Sequence, residues 1–388
     1  MPIIELCDKN KCTGCAACSS ICSQKAITMQ ADEDGFLMPQ INRESCVECG
    51  LCQKICPVLS YNDDERSNPL TVYAGYINDV KLRRHSSSGG TFPAFANYYY
   101  SLKNGVVVAA AFDEHLNLKH IISTNKKDLY KFQGSKYLQS NTCSVYPQIK
   151  DNLVAGNEVL FIGTPCQVAG LKSFLRKEYD NLLTIDLVCH GVPSPDLFRF
   201  YLKQVGINSQ KKYKDFFFRN QKLSAYFQHS FVTRFGAIKR IPPSKHSYIC
   251  AYLKGWLHRE SCYNCPFAAI PRQADCSIAD FWGVLSNKVP FSGDKSNGVS
   301  MIMINTERGE KAFDRIKDLF YYEEKTIEEA MIDNHNLYTH DIRPGIRDCV
   351  YPEIKSMEPE AFMKKYNLKL PLPISIWERI RRRIKLIF

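Results

Sequence analysis

Eight of the nine cysteines in the first sixty residues constrain this chain more than any other feature. Cys12, Cys15, Cys18 and Cys22 are spaced C-x2-C-x2-C-x3-C, and Cys46, Cys49, Cys52 and Cys56 repeat that spacing, with Pro57 following. Thiolates at that spacing let one tight loop wrap three corners of an iron–sulfur cubane, and the fourth cysteine of such a run ligates the other cluster in two-cluster ferredoxins. The spacing therefore predicts two 4Fe–4S clusters. Cys12, Cys15, Cys18 and Cys56 would hold one, and Cys46, Cys49, Cys52 and Cys22 the other. Zinc takes four ligands, usually as two C-x2-C pairs, and fits two runs of four poorly. Ser23 stands where the second run has Pro57, and Cys7 lies outside the pattern and reads as a buried thiol.

Seventeen cysteines in a small secreted chain would suggest disulfides, but this chain has 388 residues and opens Met1-Pro2-Ile3-Ile4-Glu5, without the basic and apolar regions of a signal peptide. No stretch approaches the roughly 18–20 apolar residues of a spanning helix. A cytoplasmic protein is expected, with its thiols on metal. The length fits one small and one large domain.

The predicted fold class is α+β, a small bacterial-ferredoxin-like domain followed by a larger α/β domain. The boundaries expected are 1–60 for the cluster module, 61–72 for a polar linker, 73–345 for the large domain and 346–388 for a C-terminal extension. Strands are expected at Val72–Ile77, Val106–Ala111, Glu158–Ile162 and Leu182–Val188, with helices over Thr91–Leu102 and Gln167–Lys177. That alternation predicts a largely parallel sheet.

Several chemistry-bearing residues fall where such a sheet would gather them. Gly163-Thr164-Pro165-Cys166 follows a strand and opens a helix, and the next strand ends in Val188-Cys189-His190-Gly191. Parallel strands would bring Cys166 and Cys189 out at one edge, where α/β folds place their sites. Cys262 and Cys265 add a C-x2-C. These four thiols either hold a third 4Fe–4S cluster or act separately, and Cys276 is a competing ligand. Cys143, Cys250 and Cys349 read as core thiols. Ser86-Ser87-Ser88-Gly89-Gly90 before a helix is either a plain cap or a phosphate cradle.

Charge is uneven. Of the net +11, Lys203–Arg259 supplies twelve Lys/Arg against one acid, Asp215. That stretch is either a solvated basic face or a site for an anionic partner; no nucleic-acid recognition motif accompanies it. In the tail, apolar residues from Ile374 to Phe388 fall largely at helical spacing among arginines, which reads either as a docked helix or as one lying on an anionic membrane at its inner face.

These pieces in this order resemble the family of beta subunits of coenzyme F420-reducing hydrogenases and dehydrogenases, which includes homologues in polysaccharide gene clusters. The carriers are the two cysteine runs, Ser87–Gly90, Gly134–Ser140, Gly163–Gln167, Cys189–Gly191, Cys262–Cys265 and Ala279-Asp280-Phe281-Trp282-Gly283. The resemblance implies an FAD bound by Ser87, Ser88, Gly89, Gly90, Lys136 and Tyr137, beside a third cluster on Cys166, Cys189, Cys262 and Cys265. It implies an iron–sulfur flavoprotein oxidoreductase fed by a ferredoxin-like donor or partner redox subunit, but not a substrate. The basic stretch points to an anionic small molecule, and His190, beside a proposed ligand, is either its proton donor or a structural hydrogen-bonding group. An electron-relay subunit and a coenzyme F420-dependent oxidoreductase are the alternatives.

Overall fold

The computed structural model describes residues 6–61, 66–208, 210–219 and 228–370. The N-terminal module is built on its cysteines. Short helices at Ala17–Ile21 and Leu51–Lys54 each begin inside a cysteine run, and the hairpin β1 (Ile27–Ala31) and β2 (Leu37–Ile41) lies between them. Its apolar packing is thin. Ile27 and Cys52 gather Leu6, Cys18, Cys22 and Ile41, while Cys7, Cys12 and Met38 gather Cys56 and Val58.

The large domain follows with β3 (Thr71–Ile77), β4 (Gly105–Phe112), β5 (Leu118–Ser123), β6 (Glu158–Gly163) and β7 (Leu182–Leu187). Then come β8 (Tyr213–Phe217), β9 (Ser230–Thr233) and β10 (Ile238–Arg240), and finally β11 (Cys276–Asp280), β12 (Ser300–Ile304) and β13 (Phe320–Lys325). Strands β8–β10 form a small sheet of their own. The other eight make one sheet in the order β13-β3-β12-β11-β7-β6-β4-β5.

Only the centre of that sheet is parallel, which corrects the expectation of a largely parallel one. β4, β6, β7 and β11 run together, whereas β5 is antiparallel to β4, and β12 is antiparallel to both β11 and β3. The connection from β4 to β5 is residues 113–117, too short for the crossover a parallel pair needs. The central strands are buried on both faces and read as continuous apolar runs. Leu160, Ile162, Leu183 and Ile185 pack under the helices Thr91–Ser101 and Glu307–Asp314. On the other face Val159, Phe161 and Leu182 pack under Val145–Val154 and Pro165–Leu175.

An aromatic core joins the small sheet to the helices near the end of the described chain. Phe198, Phe216, Phe218 and Tyr248 share it with Val350, Tyr351, Ile354 and Phe362. The stretch from 346 to 370, expected as an extension, thus packs one face onto the large domain's core. The expected linker is tied down too, since the Tyr61 hydroxyl and the Arg66 guanidinium both donate to the Pro266 carbonyl, at 3.1 and 2.8 Å. Cys250 is buried, but Cys143 is half-buried and Cys349 exposed. The helix Arg347–Ser356 buries Arg347, Val350, Tyr351 and Ile354, so position 349 faces solvent. Among the described residues, no helix is long and apolar enough to cross a membrane. The tail expected to be amphipathic lies outside them.

Candidate functional site

The parallel register of β6 and β7 pairs Gly163 with Asp186, so the segments carrying Cys166 and Cys189 leave the sheet at one edge. Cys166 sits in the first turn of the helix Pro165–Leu175, and a polar chain fixes that turn. The Gln167 side-chain oxygen accepts the Thr164 N–H at 3.0 Å, and its amide donates to the Ser140 hydroxyl at 2.9 Å. Ser140 donates in turn to His120 Nδ1 at 2.9 Å, and His120 Nε2 donates to the Ile162 carbonyl at 2.9 Å. Burial pulls the His120 pKa down to about 4, which keeps the ring neutral and able to both accept and donate. The Thr164 hydroxyl lies 3.2 Å from Cys166 Sγ.

Cys189 Sγ accepts the Gly191 N–H at 3.4 Å. Cys262 lies in the short turn Glu260–Asn264, with Cys265 just beyond it. That loop is anchored to the sheet by Arg272, which donates to the Asp186 carboxylate at 2.8 Å with both side chains fully buried. The four thiols feel one another. Cys166 acts on Cys189 and Cys262, and Cys265 on Cys166 and Cys189. Burial pushes Cys166 and Cys265 up to about 11 and Cys262 to about 12. Cys276 does not join them. It lies within β11 and packs against Gly309 and the core under Glu307–Asp314. The parallel register pairs Cys276 with Ile185, four residues before Cys189, so this thiol lies inside the sheet, short of the edge where the four gather.

In the module, Cys12, Cys15, Cys18 and Cys56 interact with one another, and Cys52 interacts with Cys46 and Cys49 and packs with Cys22. Cys12 Sγ accepts the Gly14 N–H at 3.4 Å and Cys22 Sγ the Ala26 N–H at 3.3 Å. Cys7 is buried against Cys56, whose hydrogen bond holds the Cys7 thiol high and lowers Cys56 to about 6. Among the described residues no three His, Cys, Asp or Glu side chains close on a single-ion site; a cubane spreads its ligands over four corners instead.

A cavity of about 320 Å³ lies against the four thiols of the large domain. Ser87, Ser88 and Gly90 line it from the start of the helix Thr91–Ser101, with Lys136, Tyr137 and His190. Gly89 is not on the wall. It is pressed between β3 and β12, where a Cβ would come within 2.4 Å of the Gly75 carbonyl. Ser87 accepts the Ser135 N–H at 2.6 Å, which lashes the two loops together. The Thr91 hydroxyl is buried on this wall with no hydrogen-bond partner.

The Lys136 ammonium does not reach freely into the cavity. It donates to the carbonyls of Phe132, Gln133 and Gly134 at 3.0–3.1 Å, and burial pulls its pKa down to about 8 against the charge of Asp215. His190 is half-buried, and burial lowers its pKa while Asp341 opposes the shift.

Three wall groups escaped sequence reasoning. His120 fell in a stretch with no legible signal. Arg219 donates to Asp280 at 2.7 Å and to the Ser87 carbonyl at 3.1 Å, yet counted only as part of a basic stretch. Asp341 accepts from His335 at 2.6 Å and from Asn336 at 3.0 Å, with His258 Nδ1 3.6 Å away. The one available sign of it was the crowding of His335, His340 and Asp341. Of the basic stretch itself, Lys203, Lys211, Lys212, Lys214, Arg234, Lys239, Arg240 and Lys254 are exposed, and Arg219 and Arg259 turn inward.

Residues 156–330 match the family model for the C terminus of the coenzyme F420 hydrogenase/dehydrogenase beta subunit, and residues 11–59 match a 4Fe–4S dicluster domain. A coenzyme F420-dependent sulfite reductase of Methanocaldococcus jannaschii is 26% identical over 49% of this chain, a stretch that spans only 29% of the reductase. The F subunit of the F420H2 dehydrogenase of Methanosarcina mazei is 20% identical over 81% of this chain and 85% of its own length. Among solved structures, a chain of the F420-reducing NiFe hydrogenase complex from Methanosarcina barkeri aligns over 80% of this chain and 99% of its own. Its identity is 16% and its TM-score 0.44.

Proposed function

We propose that this chain, whose residues 11–59 are a 4Fe–4S dicluster domain and whose residues 156–330 are the C-terminal domain of the family of coenzyme F420 hydrogenase/dehydrogenase beta subunits, passes electrons through three 4Fe–4S clusters to a bound FAD and so reduces an anionic organic substrate. One observation carries the reading. The thiols of Cys166, Cys189, Cys262 and Cys265 line the same cavity as Ser87, Ser88 and Gly90.

The residues fit these groups. Twelve cysteines fall into three interacting sets, some already accepting backbone N–H bonds of the kind that tune a cluster. The start of the helix Thr91–Ser101 offers unpaired N–H groups and the unpartnered Thr91 hydroxyl to a phosphate. A bound flavin exchanges a hydride with an organic partner and single electrons with clusters. Tyr137, already packed on Phe218 and Tyr252, gives a flat ring a fixed aromatic edge. A ring nitrogen of His190 holds the proton handed to the substrate, with Asp341 restoring its basicity. Cys49 is exposed and Cys46 and Cys22 are half-buried, whereas Cys12 and Cys15 are buried. Electrons from a ferredoxin-like donor or partner subunit therefore enter at the second cysteine run.

A second reading makes the chain a relay acting on coenzyme F420 within a larger assembly. The likeness to one chain of a dehydrogenase over 85% of that chain's length favours it. The deciding experiment is anaerobic purification with iron, sulfide and flavin measured per chain. About twelve irons, four for each of three clusters, and one FAD are expected. About eight irons with FAD would confine clusters to the module. About eight irons and no flavin, even after FAD is added, would sink the enzyme reading and leave the relay.

A further inference from the structure

Arg259 is 2% exposed, yet among the described residues it forms no ion pair. Its Nε donates to the Cys12 carbonyl at 2.6 Å and its Nη1 to the Gln139 side-chain oxygen at 3.0 Å. Nη2 donates to the Leu37 carbonyl at 3.2 Å and meets the Met38 sulfur. All of these acceptors are neutral. The adjacent carboxylate, Glu260, is turned away onto Arg343 and Arg347 at 2.8 Å. A guanidinium keeps its charge at any working pH, and burying a charge without a counter-charge is among the costliest arrangements a fold can contain.

The position of Arg259 identifies the missing counter-charge. Its side chain enters the module at Cys12, while its backbone belongs to the other site: its carbonyl accepts the Cys262 N–H at 2.9 Å, and its N–H donates to Val192, three residues past Cys189. Its charge acts on Cys12 on one side and on Cys166 and Cys262 on the other. Gln139 completes the junction, donating to the Thr13 and Gly14 carbonyls while accepting from Arg259. A cubane held by four thiolates carries net negative charge, and a cation beside it favours the reduced, more negative state.

We propose that Arg259 is the shared counter-ion of the cluster on Cys12, Cys15, Cys18 and Cys56 and of the one on Cys166, Cys189, Cys262 and Cys265, raising the reduction potential of both. It is a positioning residue that touches neither substrate nor flavin. The inference rests on the three-cluster reading above. The cluster on Cys46, Cys49, Cys52 and Cys22 is not part of this junction. The Arg259 side chain donates to Cys12, Gln139 and Leu37 and meets Met38, and among the described residues no hydrogen bond joins it to those four cysteines.

The test is an anaerobic redox titration of the full chain followed by electron paramagnetic resonance, on wild type, Arg259→Gln and Arg259→Lys, with iron counted in each. In Arg259→Gln two of the three signals should move to more negative potential and the third should stay. Arg259→Lys, which keeps the charge and loses the fork, should leave all three close to wild type. If Arg259→Gln fails to assemble clusters, iron counting decides: loss of about eight irons in Gln with full loading in Lys upholds the charge at the junction, and equal loss in both variants overturns it. Three signals moving together, none moving, or the Lys variant shifting as far as the Gln variant would each overturn the proposal. A wild-type count of about eight irons would instead remove the third cluster, and the bridge with it; about twelve irons without the two-against-one shift would remove the bridge alone.

Discussion

The two halves of this molecule are held together by different means. The large domain buries both faces of its central strands, and apolar clusters run through Phe95, Phe161, Phe198 and Met301. The module's own apolar packing centres on Ile27 and Met38, and several of the residues around them are cysteines. A segment of sixty residues with so little to bury is marginal alone, and metal ligation supplies what packing does not. The contrast makes iron a structural requirement of the module, whereas the large domain holds itself together by packing.

The largest expected effect follows from that difference. In chain prepared without iron, hydrogen exchange across β1 and β2 should rise by about a thousandfold or more, because ligation energy is folding energy in such modules. Exchange across β6 and β7, buried on both faces, should change little. Equal loss in both halves would break the comparison, since the large domain would then also need its metal to fold.

A second test strikes the large domain without touching a thiol. Arg272→Ala leaves the Asp186 carboxylate fully buried and unpaired, beside an oxygen that already lacks a partner. Breaking such a pair costs about 3–5 kcal/mol. The loss should be read in chemical denaturation of the iron-free chain, where the module contributes nothing. An unchanged midpoint would mean that the loop carrying Cys262 and Cys265 is not anchored through this pair.

The sequence made the two halves unequally legible for the same physical reason. The cysteine runs are local: spacing within ten residues dictates which thiols can share a loop, and the helices and hairpin between them follow. The apolar runs of β6 and β7 were equally local. Strand direction was not, because whether β12 lies parallel to β11 depends on how the chain returns from residue 280 to residue 300, which no short-range pattern records. The same limit hid Arg259 and Arg219. The twelve Lys and Arg of one basic stretch look alike in a charge count, and only the packing around Cys12 and Asp280 separates the two that turn inward from the eight that are exposed. Cys276 misled for a related reason, since closeness in sequence to Cys265 says nothing about how far along a strand from the sheet edge a thiol lies.

Acid should probe the large domain's buried imidazoles. His120 is held near pKa 4 by burial, well below the 6.5 of an exposed ring. The unfolded chain therefore takes up its proton first as pH falls. Stability is complete above about 6.5 and is lost progressively toward pH 4, by about 3 kcal/mol for this ring. His258, also near 4 through burial, adds to the same limb. His120→Gln should shed about one proton from the uptake on unfolding, measured as the slope of stability against pH between 6.5 and 4. The module has no histidine, so a slope that tracks loss of the β1–β2 hairpin instead would misassign the effect.

The smallest effect reports on the junction itself. The helix that carries Cys166 in its first turn meets the module one turn later, at Gly170, where a Cβ would stand 2.9 Å from Cys15 Cβ and 3.0 Å from its sulfur. Only hydrogen fits there with the halves docked. Gly170→Ala should therefore cost about 1–3 kcal/mol of overpacking in the loaded protein and speed iron release from the set containing Cys15 by about tenfold. In the iron-free chain the module no longer presses on the helix, and alanine's better helix propensity works the other way, by up to about 1 kcal/mol. A change of sign between loaded and iron-free protein is the expected signature of two regions that share one interface but not one source of stability. The same sign in both states would mean that Gly170 is tight for the large domain's own sake, through the Tyr146 hydroxyl 3.1 Å away.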